Sequence, residues 1–167
     1  MTLKSILAGA WRGFTDPGLG SGRMPACVAG PLAHLQSLAL LGARLYVAQV
    51  FWLSGLTKIR DWSTTLALFE SEYHVPVLPP ELAAYMGTAG ELGLPVLLVL
   101  GLGGRFAALG LSVVNVMAAL SLEDIAPAAL MGHELWGVLL MTVALWGAGR
   151  WSVDHLVLSR VGGSSAP

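Results

Sequence analysis

The sequence predicts an all-α membrane protein in which four helices cross the bilayer as one bundle. Its 167 residues are 55% hydrophobic and only 11% charged, whereas a soluble domain carries roughly 25% charged residues. The mean hydropathy is correspondingly high, at +0.71. A spanning helix needs about 20 mostly apolar residues, and four stretches qualify: 36–57, 82–102, 105–122 and 132–149. Four spans use up the chain, so we expect no second folded domain.

Charge and cysteine content exclude two classes of function. The net charge of −1 gives no electrostatic case for nucleic acid. A disulfide-exchange enzyme needs at least a Cys-x-x-Cys pair, and Cys27 is the single cysteine. For a membrane protein of this kind we expect lipid as one partner, other membrane or membrane-associated subunits as further partners, and a homo-oligomer as an alternative.

The spans divide the chain into three parts. Residues 1–34 form an amphipathic segment and linker, 35–158 the four-helix membrane domain, and 159–167 a flexible tail. In the first part, apolar residues recur at spacings near three and four up to Phe14, which predicts a short helix on the membrane surface. Gly9 and Arg12 interrupt the apolar core that a signal peptide would need. Residues 15–31 are rich in Gly and Pro and are typical of a linker.

The distribution of Lys and Arg predicts the orientation. Two of these residues, Lys58 and Arg60, follow the first span, and six lie on the opposite side: Lys4, Arg12, Arg23, Arg105, Arg150 and Arg160. An excess of positive charge marks the cytoplasmic side. We therefore expect both termini to lie in the cytoplasm.

The loop after the first span contains a second amphipathic helix. The segment from Asp61 to Thr64 offers a helix start, and an apolar, aromatic face follows: Trp62, Leu66, Phe69 and Tyr73. This spacing predicts a helix along the outer interface. Prolines at positions 76, 79 and 80 end it and return the chain to the second span.

Two charges fall inside the spans, Arg44 in the first and Glu91 in the second. A lone charge at bilayer depth costs a few kcal/mol and usually finds a partner. Arg44 lies eight residues after Gln36, and Glu91 lies ten residues before Gly101. At 1.5 Å per residue these depths agree within about 3 Å, so the sequence predicts an Arg44–Glu91 ion pair.

Further polar residues extend this prediction into two layers. Asn115 lies roughly 15 Å into the third span, which adds it to the layer of Arg44 and Glu91. A second layer nearer the outside comprises Ser54, Lys58, His133 and Glu134. On the first helix, Arg44 and Lys58 belong to one stripe with Ala48, Phe51 and Gly55. Close helix packing is expected at small residues: Gly87, Gly90, Gly93, Gly104, Ala107, Ala108 and Gly110.

The polar layers have two interpretations. In one, the Arg44–Glu91 pair only fixes the register of the bundle. In the other, the layers line a pocket for the head of a small amphipathic molecule such as a quinone, or a proton path. Arg44 would then donate hydrogen bonds to a carbonyl or carboxylate, with Glu91 as its counter-ion or as a proton acceptor.

The histidines give little support for a metal or haem. His34, His74, His133 and His155 all lie outside the span interiors, so no two could hold a haem between helices. His74 and His133, with Glu72 and Glu134, are candidate ligands for a metal on the outer side. A solvated interface is the favoured explanation, and no cofactor motif is evident.

Several short motifs, taken in order, resemble the DoxX family of small bacterial membrane proteins over about residues 38–156: Arg44-Leu45-Tyr46, Ser54-Gly55-Leu56-Thr57-Lys58, Val75-Pro76, Gly90-Glu91-Leu92, Leu100-Gly101-Leu102-Gly103-Gly104-Arg105 and Gly147-Ala148-Gly149-Arg150-Trp151-Ser152-Val153-Asp154. The resemblance implies a four-helix membrane bundle. It also implies a set of matching positions: Arg44, Ser54, Gly55, Lys58, Glu91, Gly101 and Arg105. The family is named for a subunit associated with a thiosulfate:quinone oxidoreductase, and other members are linked to membrane complexes that handle oxidative stress or sulfur compounds. The amphipathic N-terminus departs from the minimal family pattern and suggests a cytoplasmic or interfacial partner.

Three functions follow as hypotheses. The first is an accessory or quinone-binding subunit of a bacterial inner-membrane redox or stress-response system, without catalysis of its own. The second is a component of a thiosulfate:quinone-type oxidoreductase in which Arg44, Lys58 and Arg105 attract an anion. The third is a transporter of a small solute or of protons, gated by Arg44 and Glu91.

Overall fold

The computed structural model describes residues 26–122 and 124–162. Within these ranges the chain is helical, without strands, and six helices follow one another: α1 (Ala26–Arg60), α2 (Trp62–Ser71), α3 (Pro80–Leu100), α4 (Gly104–Leu120), α5 (Pro127–Trp146) and α6 (Val153–Gly162). The all-α prediction is confirmed. The predicted surface helix in residues 1–14 lies outside the described residues.

Four of these helices form the membrane bundle. Three are long and apolar enough to cross a bilayer: the Gly30–Arg60 part of α1, the whole of α3, and the whole of α5. The fourth, α4, is apolar but shorter, with 17 residues, or roughly 26 Å. Helix α1 packs against α3 and α5, and α4 packs against the same two helices, so the four close a ring. Large apolar side chains remain on the outside, where lipid would cover them.

Three boundaries differ from the sequence-based expectation. Helix α1 begins at Ala26, so the last residues of the predicted 15–31 linker are helical. Helix α5 begins at Pro127 rather than near residue 132, because proline fits the first turn of a helix. Helix α6 extends to Gly162, so the first residues of the predicted 159–167 tail are helical as well.

Helix α2 is the amphipathic helix expected after the first span. Asp61 caps it, since its carboxylate accepts hydrogen bonds from the Thr64 amide at 3.0 Å and from the Thr64 and Ser63 hydroxyls at 2.7 and 2.8 Å. These bonds lower the pKa of the Asp61 carboxyl to about 2. On the inner face, Phe69 packs with Ala83 and Ala84 of α3. Helix α2 thus covers the end of the bundle at which α1 finishes.

Small residues bring the helices close together, largely as predicted. An added Cβ at Gly110 would lie 2.9 Å from Leu94, and one at Gly104 would lie 2.7 Å from Ala148. Ala107 and Ala108 on α4 are fully buried. Gly93 and Gly87 are exceptions, because an added Cβ would meet nothing within 4 Å at Gly93 and would lie at an ordinary contact distance of 3.8 Å from Phe69 at Gly87.

Candidate functional site

Arg44 is 1% exposed and is bound entirely by backbone carbonyl groups. Its Nε donates to the Leu98 carbonyl at 2.7 Å and its Nη2 to the Val99 carbonyl at 2.5 Å. Its Nη1 donates to the carbonyls of Ala148 at 2.6 Å and Trp151 at 2.9 Å. These oxygens belong to the end of α3 and to the segment after α5, where a cation is also favoured by the helix dipole. Arg44 therefore ties three parts of the chain together.

The turn between α3 and α4 is shaped around this arginine. Gly101 has φ of +64°, and an added Cβ would lie 2.7 Å from Arg44 Nη2 and 2.5 Å from Ser152 Cβ. Asp154 accepts hydrogen bonds from the Gly103 and Gly104 amides at 2.8 and 2.9 Å, and thereby caps the start of α4. We call this end of the bundle the Arg44 end.

The predicted Arg44–Glu91 ion pair is wrong. Arg44 is level with Leu98 and Val99 at the C-terminal end of α3. Glu91 lies about two turns before that end. The depth estimate counted from Gln36 as though a span began there, but α1 begins at Ala26. Arg44 thus has the structural role allowed for in the sequence analysis, with carbonyl groups as its partners instead of a carboxylate.

Glu91 instead pairs with Lys58 of α1. Lys58 Nζ lies 2.7 Å from Glu91 Oε2 and 2.9 Å from Oε1, and it also donates to Ser54 Oγ at 2.9 Å. The side chains of Lys58 and Glu91 are 20% and 8% exposed. Gly55 permits this pair, because an added Cβ there would lie 3.1 Å from Glu91 Cβ and 2.8 Å from Leu92. The predicted inward stripe of α1 is confirmed, with Ala48 and Phe51 buried between Arg44 and Lys58.

The Lys58–Glu91 pair lies on the wall of a cavity of about 390 Å³ inside the bundle. Most of the wall is apolar, and its polar groups belong to Ser54, Lys58, Tyr73, Glu91, Ser121, His133 and, through its indole N–H, Trp136. Small-molecule sites are typically about 300–1,000 Å³, apolar, and furnished with a few polar groups. The cavity has this size and composition.

The two charged side chains on the wall, Lys58 and Glu91, neutralise each other. An ammonium group has three N–H donors, and those of Lys58 are used by Ser54 and by the two oxygens of Glu91. An anion would have to displace Glu91 from Lys58. The pair therefore favours a neutral molecule over a charged one.

Asn115 binds His133 and does not join a layer with Arg44 and Glu91. Its Nδ2 donates to the His133 carbonyl at 2.8 Å, and its Oδ1 lies 2.9 Å from His133 Nδ1. This double contact joins α4 to α5. The predicted layer of Arg44, Glu91 and Asn115 is thus replaced by separate groups, and of these three residues only Glu91 borders the cavity.

Glu134 and His74 do not contribute to the cavity. Both are exposed, and the backbone amide of His74 donates to the Ser121 carbonyl at 2.8 Å. The sequence placed Glu134 in a layer with Ser54 and Lys58, but Lys58 is bound to Glu91 instead. Across residues 26–122 and 124–162, no three His, Cys, Asp or Glu side chains are grouped so as to hold a metal. The proposed His74–His133 metal site therefore has no further ligands there.

The wall of the cavity reaches the outer surface of the bundle on α3 and α4. Met86 of α3 and Val113 of α4 line the cavity, and they are 56% and 63% exposed. Each lies several residues inside its apolar helix.

A second, shallower space lies on the outer side of α1 and α3. This outer groove has a volume of about 340 Å³ and is lined by Leu45, Ala48, Gln49, Trp52, Pro95, Val96, Val99 and Leu100. It carries no charged group. The outer groove is an alternative location for an apolar ligand.

Tyr73 and Trp136 are among the residues of the site that the sequence did not indicate. The sequence places Tyr73 only on the apolar face of the helix predicted after the first span, whereas in the structure it follows α2 and lines the cavity. The pKa of its hydroxyl is raised by burial and by the carboxylates of Glu72 and Glu91. Trp136 lies one turn after His133, with ring centroids 5.0 Å apart. The i, i+3 spacing of His133 and Trp136 was the available signal for a shared face.

Comparison with known proteins places the chain in a family. No curated protein and no solved structure matches it. The family model called DoxX matches residues 39–124, which is just over half of the 167 residues. This range contains Arg44, Lys58, Glu91 and the turn at Gly101. The chain is therefore a membrane protein of the DoxX family.

Proposed function

We propose that this protein is a non-catalytic binding subunit that holds a neutral, lipid-soluble, quinone-like molecule in the cavity between its helices. It would serve as an accessory component of a redox or stress-response system in the bacterial inner membrane, with both termini in the cytoplasm. The observation that carries this proposal is the cavity of about 390 Å³ with an internally neutralised Lys58–Glu91 pair on its wall.

The distribution of polarity supports an amphipathic ligand. Apolar side chains from α1, α3, α4 and α5, such as Phe51 and Met117, would contact a ring or an isoprenoid-like tail. The polar groups of Ser54, Tyr73 and His133 would meet a small number of oxygen atoms. Because Lys58 and Glu91 neutralise each other, no net charge on the ligand is needed.

The route into the cavity supports a molecule that dissolves in lipid. Met86 and Val113 line the cavity and are exposed on the outside of the bundle, so a ligand that enters beside them would come from the surrounding hydrocarbon. A water-soluble substrate would have to cross lipid to reach the cavity there, whereas a quinone already resides in the membrane.

A thiosulfate-handling function receives less support. It would need cations free to attract an anion, and the three candidates are far apart or occupied. Arg44 is enclosed by carbonyl groups, and Lys58 is bound to Glu91. Arg105 donates to the Leu145 carbonyl at 3.3 Å, at the Arg44 end of the bundle and away from Lys58.

The proposal is tested by binding in lipid nanodiscs. A short-chain alkyl benzoquinone is titrated into the purified protein, and both the quenching of tryptophan fluorescence and the thermal unfolding midpoint are followed. Ala118→Phe places a large ring in the cavity, because Ala118 lines it. Leu120→Phe is the matched control on the same helix, since Leu120 is 67% exposed to the outside.

We expect saturable binding by the unmodified protein and by Leu120→Phe, with a rise in the unfolding midpoint. Ala118→Phe should weaken binding at least about tenfold, equivalent to about 1.4 kcal/mol. Quenching that grows in proportion to quinone without saturation, or that is equal in all three proteins, would contradict the proposal.

A further inference from the structure

His133 lines the cavity, and the proposed function does not specify which of its ring nitrogens meets the ligand or whether that nitrogen donates or accepts. Its Nδ1 contacts Asn115, and its Nε2 makes no hydrogen bond with any residue in the described ranges. Within these ranges, two fully buried side-chain atoms have no hydrogen-bond partner: Thr88 Oγ1 and Trp136 Nε1. His133 Nε2 has no partner there and is not one of these fully buried atoms, so it is accessible to a ligand.

Asn115 determines which nitrogen of His133 carries the proton. The amide Nδ2 of Asn115 faces the His133 carbonyl, which can only accept, so the amide orientation is fixed. Asn115 Oδ1 must then face His133 Nδ1, and because this oxygen also only accepts, Nδ1 is the protonated nitrogen. In the neutral ring, Nε2 is left as a hydrogen-bond acceptor.

The orientation of the ring is held from a second side. The rings of His133 and Trp136 meet edge to face, with centroids 5.0 Å apart and an interplanar angle of 73°. Trp136 in turn contacts Phe51 with centroids 6.0 Å apart. An imidazole fixed by Asn115 and Trp136 keeps its acceptor atom in one place, as a binding site requires.

We propose that His133 Nε2 accepts a hydrogen bond from a ligand hydroxyl, and that the cavity therefore prefers the hydroxyl-bearing form of its ligand, a hydroquinone or related phenol, over the quinone. This inference rests on the proposed function and specifies its ligand. A hydroquinone offers O–H donors, whereas a quinone carbonyl only accepts and would face Nε2 with another acceptor. Asn115 acts as a positioning residue for His133.

Other acceptors on the wall are less suited to this role. Both oxygens of Glu91 already accept from Lys58. Ser54 Oγ accepts from Lys58 as well. The Tyr73 hydroxyl can donate or accept and so does not discriminate between the two forms of the ligand.

The test compares three probes under anaerobic conditions: an alkyl hydroquinone, the matching benzoquinone, and the dimethyl ether of the hydroquinone. The ether keeps the ring and the tail but has no hydroxyl to donate. Binding to nanodisc-embedded protein is measured by tryptophan quenching. The variants are His133→Phe, which removes Nε2, and Asn115→Leu, which removes the acceptor that keeps the proton on Nδ1 of His133. His74→Phe is the control, because His74 is exposed and lies outside the cavity.

We expect the unmodified protein and His74→Phe to bind the hydroquinone about tenfold more tightly than the ether, with the quinone also weaker. In His133→Phe the ratio should fall to about threefold or less, and in Asn115→Leu it should fall part of the way. A purely structural role of the Asn115–His133 contact would lower stability without changing these ratios. If His133→Phe does not fold, the ratio of hydroquinone to ether affinity is compared between the unmodified protein and Asn115→Leu, and an unchanged ratio would contradict the role of His133.

Two outcomes separate this inference from the proposed function. If the three probes bind equally well, or if the hydroquinone preference persists in His133→Phe, the role of His133 is wrong while the cavity remains a binding site. If none of the probes binds saturably, the proposed function fails and this inference fails with it.

Discussion

Lys58 of α1 and Glu91 of α3 form the ion pair of the bundle interior, with Nζ 2.7 Å from Oε2. Arg44, fourteen residues before Lys58 on the same face of α1, binds only backbone carbonyls. The two cations therefore have different tasks. Arg44 closes one end of the bundle, and Lys58 neutralises a carboxylate on the wall of a cavity.

The Lys58–Glu91 pair should appear as an energetic coupling. Lys58→Met or Glu91→Leu alone leaves a charge without a partner, and we expect each to lower the unfolding free energy by about 2–3 kcal/mol. The double variant should recover at least about 1 kcal/mol of the summed loss, measured by unfolding in detergent. Arg60→Met is the control, since Arg60 is exposed on the same helix, and it should show no coupling to Glu91→Leu. A double variant no better than the worse single one would rule out the pair.

Arg44 should be energetically independent of Glu91. Arg44→Lys cannot reach four carbonyls at once, because lysine has three donors on one nitrogen, so we expect a loss of about 3 kcal/mol or more. Combined with Glu91→Leu, the losses should add within about 0.5 kcal/mol. The same unfolding measurements decide this. A coupling as large as that of Lys58 would restore the pairing that the sequence alone predicted.

Gly101 should tolerate no side chain. Its φ of +64° disfavours L-residues, and an added Cβ would lie 2.5 Å from Ser152 Cβ. Gly101→Ala should therefore lower the unfolding free energy by about 2–4 kcal/mol. Gly93→Ala is the matched control, because nothing lies within 4 Å of the added Cβ, and alanine in a helix should be neutral or stabilising by up to about 1 kcal/mol. Equal effects of the two substitutions would show that the turn does not need glycine.

The cap of α2 should make stability depend on pH. The pKa of Asp61 is lowered from 3.8 to about 2 in the folded protein. The folded state therefore binds the Asp61 proton more weakly than the unfolded state does, so the cap stabilises fully above pH 3.8 and loses its effect as the pH falls through 2. We expect the difference in unfolding midpoint between the unmodified protein and Asp61→Ala to be larger at pH 6 than at pH 2.5. Thr64→Val, which removes one donor, should raise the pKa part of the way. A pH-independent difference would contradict the cap.

Much of the fold was predictable because hydropathy and helical spacing determine it. The four apolar stretches, the amphipathic α2 and the inward stripe of α1 from Arg44 to Lys58 were all evident. Close helix packing at Gly104 and Gly110 was predictable because small residues let the backbones of membrane helices approach each other.

The partners of the charges were not predictable in the same way. Carbonyl groups carry no signal in the sequence, so nothing marked Leu98, Ala148 or Trp151 as the partners of Arg44. The start of α1 at Ala26 was hidden by Gly and Pro residues, and this error shifted the estimated depth of Arg44. The cavity itself depends on how side chains from five helices meet, which periodicity within one helix does not reveal.

The central claim is that the cavity beside Lys58 and Glu91 is the binding site, and photo-crosslinking tests it most directly. An azido-quinone is irradiated with the protein in nanodiscs, and the labelled residues are identified by mass spectrometry. We expect labelling of cavity residues such as Met86, Val113 and Met117, suppressed by excess unlabelled quinone. Labelling confined to the outer groove at Leu45, Trp52 and Val96, or labelling that excess quinone does not suppress, would contradict the account.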